Sequence, residues 1–200
     1  MKNIKVTTNG LSGQAWIKRL EKKGYNIGNY AKELLEHSGL KILKKSYNIV
    51  ILKGEEMGKD WFTNQEVRDK AKELGYLTPP VELAPLLREM ISDEELKKMG
   101  LWWLIVMHEP ITDSDGRPDV LGIGRLDEGR WLNACHGGAR YGWYRAGGFV
   151  FLVPQDTLPS ALVSLDKHLD PLNLESRVKN LEEDMERVIN WAKQIAPPEL

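Results

Sequence analysis

The residues with the strongest potential for covalent chemistry are the only cysteine, Cys135, and the histidines near it in the predicted sheet. A histidine that takes the proton of a cysteine thiol creates the nucleophile of a cysteine hydrolase. His136 follows Cys135 directly, and adjacent side chains of a strand point to opposite faces, so His108 would have to act as the base. A Cys135-dependent hydrolase is therefore one hypothesis. A small, unreactive core residue is the alternative interpretation, and the better one.

Other chemical motifs are incomplete. Asp113-Ser114-Asp115-Gly116 resembles the start of a calcium loop, but the closing glutamate is absent and the flanking residues are typical of strands, which favours a hairpin turn. The histidines show no metal-ligand spacing; they lie at positions 37, 108, 136 and 168. Gly122-Ile123-Gly124 lies inside a predicted hairpin and does not open a helix, as a phosphate-binding loop does. The sequence thus predicts no catalytic residue, no metal and no cofactor.

An aromatic and basic segment, residues 130–145, has the composition of a binding surface. Trp and Tyr provide large contact area at low rotamer cost, Arg adds planar hydrogen bonding, and the interleaved Gly and Ala keep the loop open. The predicted ligand-binding residues are Trp131, Asn133, His136, Arg140, Tyr141, Trp143, Tyr144 and Arg145. One of the two tryptophans is expected to fill the core. The tyrosines and arginines from residue 140 onward are the preferred contact residues.

The length and composition predict an ordinary soluble globular protein. The chain has 200 residues, of which 42% are hydrophobic and 28% charged. Its longest uncharged apolar run, Leu101–Met107, is much shorter than the ~20 residues of a membrane span. A single cysteine cannot form an internal disulfide, which favours a cytoplasmic or intravirion location.

Charge divides the chain unequally. Residues 1–59 contain twelve Lys/Arg and five Asp/Glu, a balance of +7, whereas residues 60–200 have a balance of −8. A basic N-terminal α/β module, residues 1–59, is predicted, with a helix between Ser12 and Gly24, a second helix that ends at His37, and a strand after it. This order is compatible with a winged helix-turn-helix and equally with a small α+β cap. Residues that would contact nucleic acid in the first case are Lys18, Arg19, Lys22, Lys23, Lys32, Lys41, Lys44 and Lys45.

Residues 60–155 are predicted to form an α+β body. Capping boxes at Thr63–Glu66 and Ser92–Glu95 predict helix starts. Four strands joined by short turns predict a small antiparallel sheet backed by helices. The first and last of them, in 101–109 and 148–153, are apolar at odd and even positions, so both faces must be covered. Gly122 and Gly124 share one face of the second strand, where a Trp ring is expected to lie on the backbone.

The C-terminal segment has a different pattern. A connector rich in Pro, Asp and Ser, residues 156–172, precedes an amphipathic helix predicted over 173–196. Its apolar residues follow a heptad spacing at Leu174, Val178, Leu181, Met185, Val188, Ala192 and Ile195. The helix packs either on its own body or on a copy of itself. The strict period favours pairing and therefore a homo-oligomer held through 174–195.

The order of signals in residues 61–154 resembles a known fold. KAKELGY ends one helix, LTPP with Glu82 opens the next, and a Trp-rich strand, a GRW strand and a closing GF-x-F strand follow. This order is similar to the C-type-lectin-like fold, in particular to the formylglycine-generating-enzyme-like branch and the variable proteins of diversity-generating retroelements. The cysteine pairs of those lectins and enzymes are absent. The resemblance therefore implies a rigid scaffold that displays contact residues, at Asn133, His136, Arg140, Tyr141, Trp143, Tyr144 and Arg145.

Three functional hypotheses follow, in this order. The first is a non-enzymatic binding protein that presents residues 130–145 to a protein or another macromolecular ligand. A membrane is not expected among its partners. The second is a nucleic-acid-binding regulator that uses the basic N-terminal module, and the third is the Cys135-dependent hydrolase.

Overall fold

A computed structural model describes residues 4–37, 44–126 and 129–154. Strands from all three segments form one mixed β-sheet. The strands are β1 (Ile4–Thr7), β2 (Asn26–Ile27), β3 (Ser46–Lys53), β4 (Trp61–Thr63), β5 (Trp103–Val106), β6 (Ile111–Thr112), β7 (Pro118–Leu126), β8 (Gly129–His136), β9 (Gly142–Tyr144) and β10 (Gly147–Leu152). Their order across the sheet is β1-β3-β10-β5-β7-β8-β2, and β6 pairs with β7. β4 and β9 form a separate two-stranded ribbon. All pairs are antiparallel except β5 with β10 and β2 with β8.

The helices are α1 (Gly13–Lys22), α2 (Asn29–His37), α3 (Asn64–Glu73), α4 (Leu83–Met90) and α5 (Asp93–Lys98). Three of these five helices in the described residues, α1, α3 and α5, begin at a residue whose side chain caps the helix. The Ser12 hydroxyl accepts a hydrogen bond from the Ala15 amide, and both predicted capping boxes are formed. Together with the mostly antiparallel sheet, these helices confirm the predicted α+β fold class.

Both faces of the sheet are covered, as the apolar strands predict. α1, α2, α4 and α5 bury their apolar side chains on the first face, where Leu104 and Val150 lie. α3 and the β4–β9 ribbon cover part of the second face, where Ile105 and Phe149 lie. None of these four strand residues is more than 1% exposed. The apolar character of β5 and β10 at every position follows from burial on both sides.

The boundary predicted between residues 59 and 60 does not separate two modules. β3 comes from the predicted N-terminal module and pairs with β10 of the predicted body, and β2 pairs with β8 in the same way. The chain instead divides into residues 1–155 and residues 156–200. The charge difference between the two segments predicted the boundary, but backbone pairing is independent of side-chain charge. The connector 156–172 and the helix predicted over 173–196 lie outside the described residues.

The order of strands also differs from the prediction. Four strands joined by short turns were expected to be neighbours, but β10 does not lie next to β8. Residues 137–146 cross the second face of the sheet, where β9 pairs with β4, and β10 then enters between β3 and β5. The helices α1 and α2 are separated by β2 and bury apolar residues on the sheet. They form a layer of the shared core and not a separate winged-helix module.

Of the helices in the described segments, none has the length and apolar character that crossing a membrane requires.

A glycine-to-alanine pair tests the close crossing of α1 and α2. A Cβ atom at Gly13 would lie 1.9 Å from the carbonyl oxygen of Leu35, so α1 and α2 would have to separate. We expect Gly13→Ala to lower the free energy of unfolding by about 3 kcal/mol in urea denaturation. Gly24 has a φ of 76°, and a Cβ atom there would have no neighbour within 4 Å, so Gly24→Ala is expected to cost only about 1 kcal/mol. Equal losses at both positions would contradict the tight crossing.

Candidate functional site

The β4–β9 ribbon separates aromatic side chains by strand alternation. Trp61 lies opposite Tyr144, and Phe62 lies opposite Trp143. Phe62 and Trp143 point into the core and are 0% and 8% exposed, whereas Trp61 and Tyr144 point outward and are 49% and 66% exposed. The ribbon therefore has a buried inner face and an aromatic outer face.

Asn64, the first residue of α3, holds the ribbon and the following loop in place. Its side-chain amide donates to the carbonyl oxygens of His136 and Gly138, both at 2.9 Å. Its amide oxygen accepts the indole N–H of Trp143 at 2.7 Å. The backbone N–H groups of Asn64 and Gln65 donate to carbonyl oxygens of the same loop, at 2.9 and 3.0 Å. The first N–H groups of a helix have no partner within the helix, and here they donate hydrogen bonds to the loop. These bonds fix the loop on α3.

The loop next to the ribbon adds further exposed side chains. Together, the exposed residues form what we call the ribbon surface: Trp61, Arg140, Tyr141, Tyr144 and Arg145. The ring of Tyr141 stacks on His136, with centroids 5.1 Å apart, and meets Trp143 edge-on at the same distance. Arg145 forms an ion pair of 3.1 Å with Asp60, and both side chains are more than half exposed. Such an exposed pair contributes little to stability and leaves the guanidinium accessible.

The structure distributes the predicted ligand-binding residues over several places. Tyr141, Tyr144, Arg140 and Arg145 lie on the ribbon surface, with His136 under the ring of Tyr141. Trp143 belongs to the core, so its interpretation as a freely accessible contact residue needs correction: its place on the inner face of the ribbon depends on pairing with β4. Trp131 is half-buried beside β2, opposite Asn26. Asn133 lines a cavity on the second face of the sheet.

This cavity, which we call the Gly124 cavity, lies where the ribbon and α3 leave β7 and β8 uncovered. Its volume is about 370 Å³. The residues around it are Trp102, Trp103, Ile105, Gly122, Ile123, Gly124, Arg125, Asn133, Cys135 and Trp143. A Cβ at Gly122 would lie 2.6 Å from Cδ1 of Ile105, but a Cβ at Gly124 would have no neighbour closer than 3.8 Å. The space above Gly124 is thus open.

The expectation of a tryptophan ring on Gly122 and Gly124 was therefore wrong in its position. Tryptophan rings lie instead on Gly142 and Gly147, where a Cβ would come within 2.1 Å of the ring atoms of Trp61 and Trp103. As expected, a glycine without a side chain lets a tryptophan ring lie on the backbone. The glycines and tryptophans that meet in this way are far apart in the sequence, so spacing does not reveal them.

Sequence reasoning missed several residues of these two sites. Trp102 is 54% exposed, and the guanidinium carbon of Arg125 lies 4.5 Å from the centre of its ring. Nε of Arg125 donates to the carbonyl oxygen of Leu101 at 2.9 Å, which fixes the guanidinium. The consecutive tryptophans in LWWLIVM gave no signal for this exposure, because a strand that is covered on both faces can bury both rings, and Trp102 lies just before β5 begins at Trp103. Trp61 gave no signal either.

His108 is not arranged to activate Cys135. The Leu121 N–H donates to Nε2 of His108 at 2.9 Å, so Nδ1 carries the proton and donates to the carbonyl oxygen of Glu109 at 2.7 Å. Burial lowers the pKa of His108 to about 4, and burial together with Asp119 raises the pKa of the Cys135 thiol to about 12. A neutral histidine held at both nitrogens and a protonated thiol do not favour the hydrolase hypothesis.

The basic residues proposed for nucleic-acid contact are partly paired with carboxylates. Arg19 and Lys23 both contact Glu89, at 2.7 and 2.5 Å, and Lys32 contacts Glu21 at 2.6 Å. Lys18, Lys22, Lys44 and Lys45 are exposed. Lys41 lies outside the described residues. These ion pairs reduce the positive charge available for phosphate, and the nucleic-acid hypothesis stays a prediction without a further observation in its favour.

Asp113 stabilises a hairpin turn between β6 and β7. The sequence favoured such a turn over a calcium loop at this position. Its Oδ1 accepts from the amides of Asp115 and Arg117, at 3.0 and 2.8 Å, and its Oδ2 from Nε of Arg117 at 3.1 Å. Hydrogen bonds to Arg117 help to lower the pKa of Asp113, against the opposing effect of its burial. Within the described segments, no three His, Cys, Asp or Glu side chains are grouped so as to hold a metal ion.

No protein-family model matches the sequence, and neither a curated protein nor a solved structure matches it significantly. The resemblance of residues 61–154 to the C-type-lectin-like fold therefore stays a prediction, and the functional argument depends on the chain's own geometry.

Two adjacent substitutions test the inner and outer faces of the ribbon. Trp143→Ala removes a buried ring and leaves Oδ1 of Asn64 without its donor, so we expect a loss of about 4 kcal/mol in the free energy of unfolding. Tyr144→Ala removes an exposed ring and is expected to change it by less than about 0.5 kcal/mol. Urea denaturation of both variants measures the difference. Similar values for the two would contradict the alternation assigned to β9.

The reactivity of Cys135 tests its pKa. A thiol with a pKa of about 12 is almost entirely protonated at pH 8, so labelling by a mild disulfide reagent should be slower than in urea-unfolded protein by a factor of about a thousand. Because only the thiolate reacts, the rate should still increase with pH at pH 10, where an ordinary cysteine has reached its plateau. A plateau near pH 8.5 in the folded protein would contradict this environment.

Proposed function

We propose that this chain is a non-enzymatic recognition protein and that it binds a protein partner on the ribbon surface. The observation that supports this best is a cross-strand pair of exposed aromatic rings on the outer face of the ribbon: Trp61 and Tyr144 are 49% and 66% exposed, and Tyr141 of the neighbouring loop is 43% exposed. Water contact of such rings is unfavourable, and adjacent exposed apolar rings are typical of interaction sites.

The residue types also favour a protein partner. Trp, Tyr and Arg are the side chains that contribute most to binding energy at protein interfaces. Arg140 and Arg145 are next to Tyr141 and Tyr144 in the sequence and are exposed. Among the described residues, the ion pair of Arg145 is with the exposed Asp60. A partner that buries these rings and places carboxylates near the two arginines would be complementary in shape and charge.

The support beneath the ribbon surface reduces the entropy cost of binding. Asn64 holds the loop carbonyls and Trp143 at the same time, and Phe62 and Phe149 pack edge-on at 5.7 Å. The contact residues are thus presented from a structured β-ribbon and a loop fixed on a helix end. Less side-chain and backbone freedom is lost on association when the surface is organised in advance.

Two further parts of the hypothesis belong to this proposal. The resemblance to the C-type-lectin-like fold would imply the same kind of display, with contact residues presented before a closing strand. A homo-oligomer formed through residues 174–195 would bring several ribbon surfaces together and raise avidity without new contacts.

Site-specific photocrosslinking tests the proposed surface. A photoreactive phenylalanine analogue replaces Tyr144 in the full-length protein, and a matched variant carries it at Met90, which is 47% exposed on α4 at the opposite face of the sheet. After irradiation in the native cells, a discrete protein adduct is expected from position 144 and not from position 90.

Loss of the contact residues should then abolish the adduct. Combined Trp61→Ala and Arg140→Ala substitutions, with the crosslinker at position 144, are expected to reduce its yield by about tenfold or more, because central aromatic contacts account for most of the binding energy. The unfolding midpoint should stay near that of the parent, which excludes loss of folding. An adduct that is equally strong from position 90, or unchanged in the double variant, would contradict the proposal.

A further inference from the structure

The ring of Trp61 is held against the opposite strand of the ribbon. A Cβ atom at Gly142 would lie 2.1 Å from Cε2 and Cζ2 of Trp61 and 2.3 Å from its Nε1. Gly142 is not among the glycines with a positive φ, so packing of the indole, and not backbone conformation, requires a glycine there. Gly142 pairs with Thr63 and Trp61 pairs with Tyr144, so the ring crosses the ribbon diagonally. This contact restricts the side chain of Trp61 before any partner binds, which lowers the entropy cost of binding.

The outer face of the ribbon carries two aromatic rings and no charge. Strand alternation places Trp61, Thr63, Gly142 and Tyr144 on this face. Tyr144 lies directly opposite Trp61, and side chains in such positions have Cβ atoms about 5 Å apart. Both rings are exposed, whereas Gly142 adds no side chain and the Thr63 hydroxyl caps α3. The face is thus an apolar surface formed by two neighbouring rings.

The charges next to the ribbon do not favour a cationic ligand. Asp60 precedes Trp61, and its carboxylate is paired with Arg145. Glu66 is paired with Lys59 in the same way. Arg140, in the loop before β9, is exposed. An arginine or lysine of a partner is able to stack on aromatic rings, but here both neighbouring carboxylates are already paired and Arg140 repels it.

A polyproline II segment has the uncharged chemistry that suits this surface. Its pyrrolidine rings pack on exposed aromatic side chains. Its backbone carbonyl groups form no internal hydrogen bonds, so they accept from donors such as the Tyr144 hydroxyl and the guanidinium groups of Arg140 and Arg145. The segment is already extended before it binds, so it loses less conformational entropy than a flexible apolar segment would.

We propose that the partner binds the ribbon surface through a proline-rich segment in the polyproline II conformation. Pyrrolidine rings of the segment lie on Trp61 and Tyr144, and Gly142 is the residue that positions the ring of Trp61. This inference rests on the proposed function, because it names the part of the partner that the same surface recognises.

Fluorescence anisotropy of the full-length protein with four labelled ligands tests this chemistry. Decaproline is compared with a flexible, neutral Gly-Ser decamer, a cationic Gly-Arg decamer and a single-stranded thymidine decamer. All four carry the same dye, and the salt concentration is about 150 mM. We expect saturable binding of decaproline, about tenfold or more tighter than binding of the other three. No saturable binding of decaproline up to about 0.5 mM protein, or an equal or higher affinity for any of the other ligands, would overturn the proposal.

Substitutions then locate the bound segment. Trp61→Ala removes one ring and should weaken decaproline binding by about tenfold or more. Gly142→Ala keeps the indole but displaces it and should weaken binding in the same direction, whereas Met90→Ala on α4 should leave binding unchanged. The urea unfolding midpoint shows whether each variant is folded, and Tyr144→Ala replaces Gly142→Ala if that variant does not fold. Unchanged binding in folded Trp61→Ala would overturn the proposal, as would loss of binding in Met90→Ala.

Competition separates this inference from the proposed function. Excess decaproline should suppress the photocrosslinked adduct from position 144. An adduct that persists in excess decaproline would overturn the proline-rich segment and leave the ribbon surface as a site for a protein partner. Absence of any adduct from position 144 would contradict the proposed function itself, and the proline-rich segment of a partner with it.

Discussion

The second face of the sheet depends on one buried amide. Asn64 is 0% exposed, and its donor and acceptor groups are all used by residues more than seventy positions away in the sequence. An asparagine buried without these partners would lose hydrogen bonds to water and gain none, so the arrangement is favourable only when Trp143 and the loop are both in place. The inner wall of the Gly124 cavity and the support of the ribbon surface are consequently set by the same side chain.

Local signals in the sequence predicted local structure well. Thr63 and Ser92 begin helices because their hydroxyl groups and the glutamates three residues later satisfy free backbone groups at close range. The apolar strands β5 and β10 were correctly expected to be covered on both sides. Strand order was not predictable in the same way, since β3 and β10 are far apart in sequence and pair through backbone groups that every residue carries. The charge boundary near residue 59 was misleading for the same reason.

The candidate sites show a similar division. The composition of residues 130–145 identified Tyr141 and Tyr144 as prominent aromatic residues, and both are exposed. It could not decide the face of Trp143, because that face depends on the pairing of β9 with β4. The glycines of β7 gave a signal as well, but Ile105 of the neighbouring strand fills the space at Gly122 and leaves the space at Gly124. Gly122 and Gly124 are equivalent in the sequence pattern, and only the three-dimensional structure shows that the space above one is filled and the space above the other is open.

The central position of β10 has a consequence for synthesis of the chain. β10 is the last strand of the described residues, yet it lies between β3 and β5 and joins the two parts of the sheet. Until residues 147–152 have left the ribosome, β3 and β5 each have an unpaired apolar edge, which is a site of incorrect pairing with other chains. Long-range pairing of this kind also slows folding. The sheet can therefore be completed only after residues 147–152 have emerged, and the edges of β3 and β5 stay open to incorrect pairing until then.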